Sequence, residues 1–83
     1  MRVQDYYYFI DTNEVYEMIS YQPLFETMKR KQITSYALFQ QGFSKATYYS
    51  IQKGNSVSTN TIEQLCKLLK CSVSEVMEYI DTD

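Results

Sequence analysis

There is no histidine in the 83 residues, and only two cysteines, two glycines and one proline. Without histidine the commonest general base is missing, and neither an activated nucleophile nor a paired-carboxylate pattern stands out. The chain offers no case for catalysis. Cys66 and Cys71 lie five residues apart across a helix end. Zinc would need four ligands and no second pair exists, so both read as reduced core residues rather than a metal site or a disulfide. Long apolar runs are missing too. The longest near the start is 6–10, Tyr-Tyr-Tyr-Phe-Ile, far shorter than a bilayer crossing or the core of a secretory signal. A cytoplasmic protein is expected, with no cofactor, metal, membrane contact or small-molecule substrate.

The most informative absence is local. Between residues 27 and 62 there is no carboxylate, while Lys29, Arg30, Lys31, Lys45 and Lys53 all fall there. Residues 1–26 set Arg2 against Asp5, Asp11, Glu14, Glu17 and Glu26, and residues 63–83 set Lys67 and Lys70 against Glu63, Glu75, Glu78, Asp81 and Asp83. The net charge of -2 therefore conceals a basic middle between two acidic ends, the distribution suited to phosphate contact. A blander reading of Lys29-Arg30-Lys31 is that three cations favour the negative end of a helix. Both can hold together. The remaining balance, 45% hydrophobic and 22% charged, is that of one small globular domain with a modest core.

Within the basic middle, residues 33–54 read ITSYALFQQGFSKATYYSIQKG, two short helices joined by a tight turn at Gly42-Phe43. Ser44 can cap a helix over 44–53, and Gly54 ends it. At about 100° per residue, Thr47, Tyr48 and Ile51 fall on one side and Lys45, Ala46, Tyr49, Ser50 and Lys53 on the other. The first side packs and the second faces outward. Small residues such as Ala46 and Ser50 let a helix approach base edges closely in a major groove. An ordinary solvated face is the bland alternative, and the surrounding unit argues against it. The preceding segment, 34–41, is too short to be stable alone. Thr34 or Ser35 can cap it, and Ala37 and Leu38 supply its apolar side. A short helix, a glycine turn and a second helix with a polar outer face make a helix-turn-helix.

Around that unit the chain reads as further helices. Residues 21–31 form helix one, with Pro23 in its first turn and Leu24, Phe25 and Met28 inward. Ile33 plugs the turn that follows. Asn55-Ser56-Val57-Ser58 is a polar loop with accessible backbone donors, either a phosphate contact or a simple connector. Ile62, Leu65, Cys66, Leu68 and Leu69 recur at helical spacing over 59–69. Ser72-Val73-Ser74-Glu75 reads as a capping box for a final helix with the stripe Val73, Val76, Met77 and Ile80. Everything from residue 20 onward is predicted helical. Before it, 12–19 could add a short helix, and the aromatic run 6–10 has high β propensity. Residues 1–17 are an extension with three readings: a strand pairing with its twin in a dimer, an apolar flap, or an arm. Their tyrosines read as packing residues.

From residue 18 to residue 80 the chain resembles the Cro/C1-type (XRE-like) helix-turn-helix family of bacterial and phage transcription regulators. The motifs are Tyr21-Gln22-Pro23-Leu24, a basic end to helix one, Tyr36-Ala37-Leu38, Gly42-Phe43-Ser44, Lys53-Gly54, Ser58-Thr59-Asn60-Thr61 and Leu65-Cys66-Lys67-Leu68-Leu69-Lys70-Cys71. Each is weak alone, and their order and spacing together are specific. The resemblance implies an all-α, five-helix lambda-repressor-like domain that binds double-stranded DNA through helix three, acts as a homodimer and controls transcription, as a repressor. Carried over by position, it places base reading on Lys45, Ala46, Tyr49 and Ser50. Phosphate contacts fall on Ser35, Tyr36, Ser44, Lys53, Asn55, Ser56 and Ser58. The chain departs from the family in helix two, where Leu38 precedes Gly42 without the usual Leu-Ala pair. A shorter or differently angled helix two is expected.

Two functions fit this reading: a sequence-specific DNA-binding regulator, or a protein-interaction module on the same fold with weak or no DNA binding. The carboxylate-free stretch favours the first, since a module that binds only protein does not require it. The domain boundary is set at residue 18, with 1–17 as the extension and 18–83 as the DNA-binding domain. A chain starting at Met18 is expected to keep a cooperative helical melt by circular dichroism, because every recognisable core stripe follows that residue. An unfolded chain would place part of the core in residues 1–17.

Overall fold

The computed structural model describes residues 18–81. A strand, β1 (Met18–Ser20), leads into four helices: α1 (Gln22–Lys31), α2 (Ser35–Gln40), α3 (Lys45–Gln52) and α4 (Thr59–Leu69). A single 3-10 turn (Val73–Glu75) and a second strand, β2 (Glu78–Ile80), complete it. The strands pair antiparallel, Met18 opposite Ile80, Ile19 opposite Tyr79 and Ser20 opposite Glu78. Among the described residues, none of the helices is long and apolar enough to cross a membrane.

Two expectations are corrected here. The fold is not all-α with five helices: the final helix expected from Ser72 is one turn followed by a strand. The signals behind it are real but local. Glu75 does reach back, its Oε1 accepting from the Ser72 N–H at 3.0 Å and from the Ser72 hydroxyl at 3.2 Å. Pairing with Met18–Ser20 then takes the backbone groups of Glu78–Ile80, and β-branched and aromatic residues suit that pleat. The helix considered for 12–19 is also displaced at its end, since Met18 and Ile19 belong to β1. The rest of that segment, and the aromatic run 6–10, lie outside the described residues.

The core is one cluster. Leu24, Ile51, Leu65 and Val76 are fully enclosed, joined by Met28, Leu38, Phe43, Tyr48, Ile62 and Leu69. Every helix contributes to it, so no helix needs to be stable alone. Truncating one of the enclosed aliphatics to alanine typically costs about 2–5 kcal/mol. The helix starts are equally explicit. Tyr21 cannot cap α1 with its side chain, and the buried Ser20 hydroxyl instead accepts from the Gln22 N–H at 3.1 Å. Thr34, Ser44 and Ser58 cap α2, α3 and α4 with their side-chain oxygens.

The helix ends share one device: a residue at positive φ turns the chain so that the next N–H bonds back into the last turn. Gly42 (φ 96) and Gly54 (φ 83) do this after α2 and α3, Gln32 (φ 59) and Lys70 (φ 54) after α1 and α4. The returning bonds are Ile33 N–H to Met28 O (2.9 Å), Phe43 N–H to Leu38 O (3.0 Å), Asn55 N–H to Ser50 O (3.0 Å) and Cys71 N–H to Cys66 O (3.1 Å). Cys66 and Cys71 are half-buried free thiols at that last closure. Burial, then the neighbouring Cys66, pushes the Cys71 thiol up from its ordinary value.

The C-terminal segment is fastened to α1 through Glu75. Thr27, buried, donates its hydroxyl to the Glu75 carbonyl at 2.7 Å, and Arg30 Nη2 donates to Glu75 Oε2 at 2.8 Å. The Ser72 donors, with smaller help from Arg30 and Lys31, hold the Glu75 carboxyl below its ordinary value of 4.5. A depressed folded value means stabilisation that is complete above the ordinary value and lost as pH falls through the folded one. Glu75→Gln should therefore lower the melting temperature at pH 6, and the gap to the unmodified chain should shrink as pH drops from 4.5 toward 3. A gap that does not change over that window would show that the carboxylate charge is not part of the fastening.

Candidate nucleic-acid interface

The geometry is built upward from the reversal between α2 and α3. α2 has only six residues. Gly42 N–H bonds Phe39 O at 2.9 Å and Phe43 N–H bonds Leu38 O at 3.0 Å. These satisfy carbonyls the short helix would leave open. Phe43 enters the core at 3% exposure. Ser44 then starts α3 at once, its Oγ accepting from Thr47 N–H at 3.1 Å.

With Tyr48 and Ile51 buried, the opposite side of α3 faces out. Lys45 and Ala46 are exposed, Tyr49 is 50% exposed, and Ser50 is half-buried. Ser50 lines an open groove of about 290 Å³ together with Ala46, Thr47, Ser56, Val57, Ser58 and Thr61. Thr47 is a correction, since the helical wheel put it inside with Tyr48 and Ile51. It sits at the margin of that arc and is half-exposed, lining the groove beside the small side chains Ser56, Ser58 and Thr61. Thr61 shares this groove; the sequence marked it only as the end of the Ser58-Thr59-Asn60-Thr61 motif, not as a contact. The groove is small-walled and rich in hydroxyls, able to admit a backbone or the edge of a planar group.

The flanking residues surround this face. Ser44 and Ser58 use their oxygens as cap acceptors, from Thr47 N–H and from Thr61 N–H at 3.2 Å; the Ser44 hydroxyl keeps its proton to donate, while the Ser58 hydroxyl also meets that of Thr61 at 3.2 Å. Asn55 and Ser56 are exposed on the loop, and Lys53 is exposed at the end of α3. Tyr36 is 67% exposed, its hydroxyl accepting from Gln40 Nε2 at 2.9 Å. Ser35 is the exception, half-buried at the start of α2; burial pushes the Tyr48 phenol up from its ordinary value of 10.0.

Charge is divided more finely than the sequence indicated. Arg30 is tied to Glu75 at 2.8 Å, so one cation of the basic triplet serves the C-terminal fastening. Lys67 pairs with Glu63 at 3.1 Å on α4. Among the described residues neither ion pair involves Lys45 or Lys53, and the Lys45 ammonium instead lies 5.7 Å from the centre of the Phe39 ring. No three His, Cys, Asp or Glu side chains among the described residues gather as a metal site.

The family profile for the Cro/C1-type HTH DNA-binding domain matches residues 24–82. The chain belongs to that family. Its match begins inside α1 and covers the whole helix-turn-helix. No curated protein matches the sequence significantly. Among solved structures, the crystal structure of the transcriptional regulator VanUg, Form II, superposes with a TM-score of 0.70 at 23% identity. The match covers 78% of this chain and 88% of that one. At that identity the likeness is one of fold. The family is that of a DNA-binding domain, not an enzyme family.

Gly42 carries a testable consequence for this Cro/C1-type domain. A Cβ built there meets nothing within 4 Å, so the only obstacle to alanine is the backbone angle of 96°. Gly42→Ala is expected to cost about 1–2 kcal/mol, read as a lower urea midpoint with unchanged slope. A cost near zero would mean that the turn accepts another backbone route.

Proposed function

We infer that the domain is a sequence-specific transcriptional repressor, working in the cytoplasm as a homodimer that sets α3 of each copy into successive major grooves about 34 Å apart. Lys45, Ala46, Tyr49 and Ser50 read base edges. Ser35, Tyr36, Ser44, Lys53, Asn55, Ser56 and Ser58 meet phosphates. The observation that carries this reading is the outward face of α3: uncovered, free of carboxylates, and bordered by donor hydroxyls and amides on both sides. Thr47 and Thr61 join the same surface through the groove they line.

A second reading, a protein-interaction module, rests on a different observation. Ile19 and Tyr79 stand directly opposite each other on the two strands and are 41% and 56% exposed, apolar surface of the kind a protein partner covers. The two readings separate on DNA binding.

Lys45 and Lys53 provide the test, because they lie at opposite ends of one helix face. In fluorescence anisotropy titrations, a duplex selected by this chain from a random pool is compared with its scrambled version at two salt concentrations. Lys45→Ala should cost about 1–3 kcal/mol on the selected duplex and little on the scrambled one. Lys53→Ala should weaken both about equally and lower the salt slope by about one unit. Proportional losses for Lys45→Ala on both duplexes would remove it from base reading. No loss for either variant would favour the protein-interaction reading.

A further inference from the structure

We propose that Phe39, on α2, is a positioning residue for sequence discrimination: it holds Lys45 and Tyr49 of α3 in place before DNA arrives. The proposal rests on the DNA-reading role of α3 given above. Three contacts meet at this ring. Phe39 packs edge-on against the buried Tyr48 (centroids 5.5 Å apart, planes at 87°) and lies tilted against Tyr49 (6.3 Å, 57°). The Lys45 ammonium sits 5.7 Å from its centre. Tyr48 is held in turn by Phe25 of α1 at 6.0 Å and touches Tyr49 at 5.8 Å. The ring is therefore fixed from beneath by the core, while its outer side contacts two side chains one helical turn apart.

The physical reason lies in the lysine. Its side chain has four rotatable bonds, and freezing them against a base edge costs conformational entropy. The negative face of an aromatic ring attracts the ammonium and narrows that freedom beforehand. At an exposed site this attraction is weaker than a good base contact, so the ring confines Lys45 without withholding it. The same confinement keeps Lys45 from ranging over nearby phosphates. Tyr49 gains from the ring more simply, being propped between Phe39 and Tyr48 so that its hydroxyl end projects outward. Phe39 thus raises affinity for the preferred sequence and leaves affinity for other DNA nearly untouched. A residue that only maintained the fold would affect both.

The experiment uses the full chain with Phe39→Leu, which keeps bulk against Tyr48 but has no ring face, and Phe39→Tyr, which restores the ring. Phe39→Met replaces the leucine variant if that one does not fold. Without DNA, the Lys45 ε-methylene protons should resonate upfield of those of Lys53, and Phe39→Leu should abolish that difference while Phe39→Tyr keeps it. With DNA, the ratio of affinities for the selected and scrambled duplexes should fall about two- to fivefold in Phe39→Leu. Scrambled binding and salt slope should hold, Phe39→Tyr should recover the ratio, and the loss should be smaller when Lys45→Ala is already present. An unchanged ratio in Phe39→Leu, equal losses on both duplexes, or no upfield shift in the unmodified chain would each overturn the proposal. If the unmodified chain does not discriminate the two duplexes, the DNA-reading role fails and the proposal goes with it. Failure of the proposal alone leaves that discrimination intact.

Discussion

The interaction on which the rest depends is the backbone bond from Phe43 N–H to Leu38 O, made possible by the positive φ of Gly42. A six-residue helix has almost no intrinsic stability. Closing its end with this bond satisfies a carbonyl and sends Phe43 into the core, and it fixes the direction in which α3 leaves. Once that direction is set, Tyr48 and Ile51 must be inside, and Lys45, Ala46 and Tyr49 outside. A different exit angle would remove two core residues and the outward face together. The placement of the candidate interface and the stability of the domain are thus one geometric fact.

A second fastening works where the ends of the domain meet. β1 and β2 pair there, Thr27 holds the Glu75 carbonyl, and Val76 is fully enclosed. The Arg30 to Glu75 ion pair is half-exposed, and exposed pairs of this kind contribute little. The buried hydroxyl bond and the enclosed valine therefore carry more of the work. For function, the ion pair has a different importance. By engaging Arg30 it divides the basic stretch, so that Lys45 and Lys53 on α3 are left as the cations of the outward face.

Much of this was legible in the residues because helix boundaries are written in short-range chemistry. Thr34, Ser44 and Ser58 accept from N–H groups three residues on, and Gly42 and Gly54 close their helices. The α4 range coincides with the 59–69 stripe, and α1 and α3 differ from expectation by a residue at one or both ends. The inside and outside of α3 followed from 100° spacing for Tyr48, Ile51, Lys45, Ala46 and Tyr49. Thr47 escaped that rule because exposure at the edge of the arc depends on what a neighbouring element covers. Phe39 escaped it because its role comes from contacts across two helices, which no periodicity within one helix reports.

By itself, then, the sequence determined the elements whose causes lie within a turn or two of chain: four helices, the helix-turn-helix reversal, and the carboxylate-free face that goes with it. Tertiary structure alone decided the rest. It turned the stripe Val73, Val76, Met77 and Ile80 from a helix into a turn and a strand, tied Arg30 to Glu75, and set Lys45 over Phe39. The reason is common to all three. A strand needs a partner and a side chain needs a neighbour, and β2 finds its partner in Met18–Ser20, at the other end of the described chain, where local propensity carries no information.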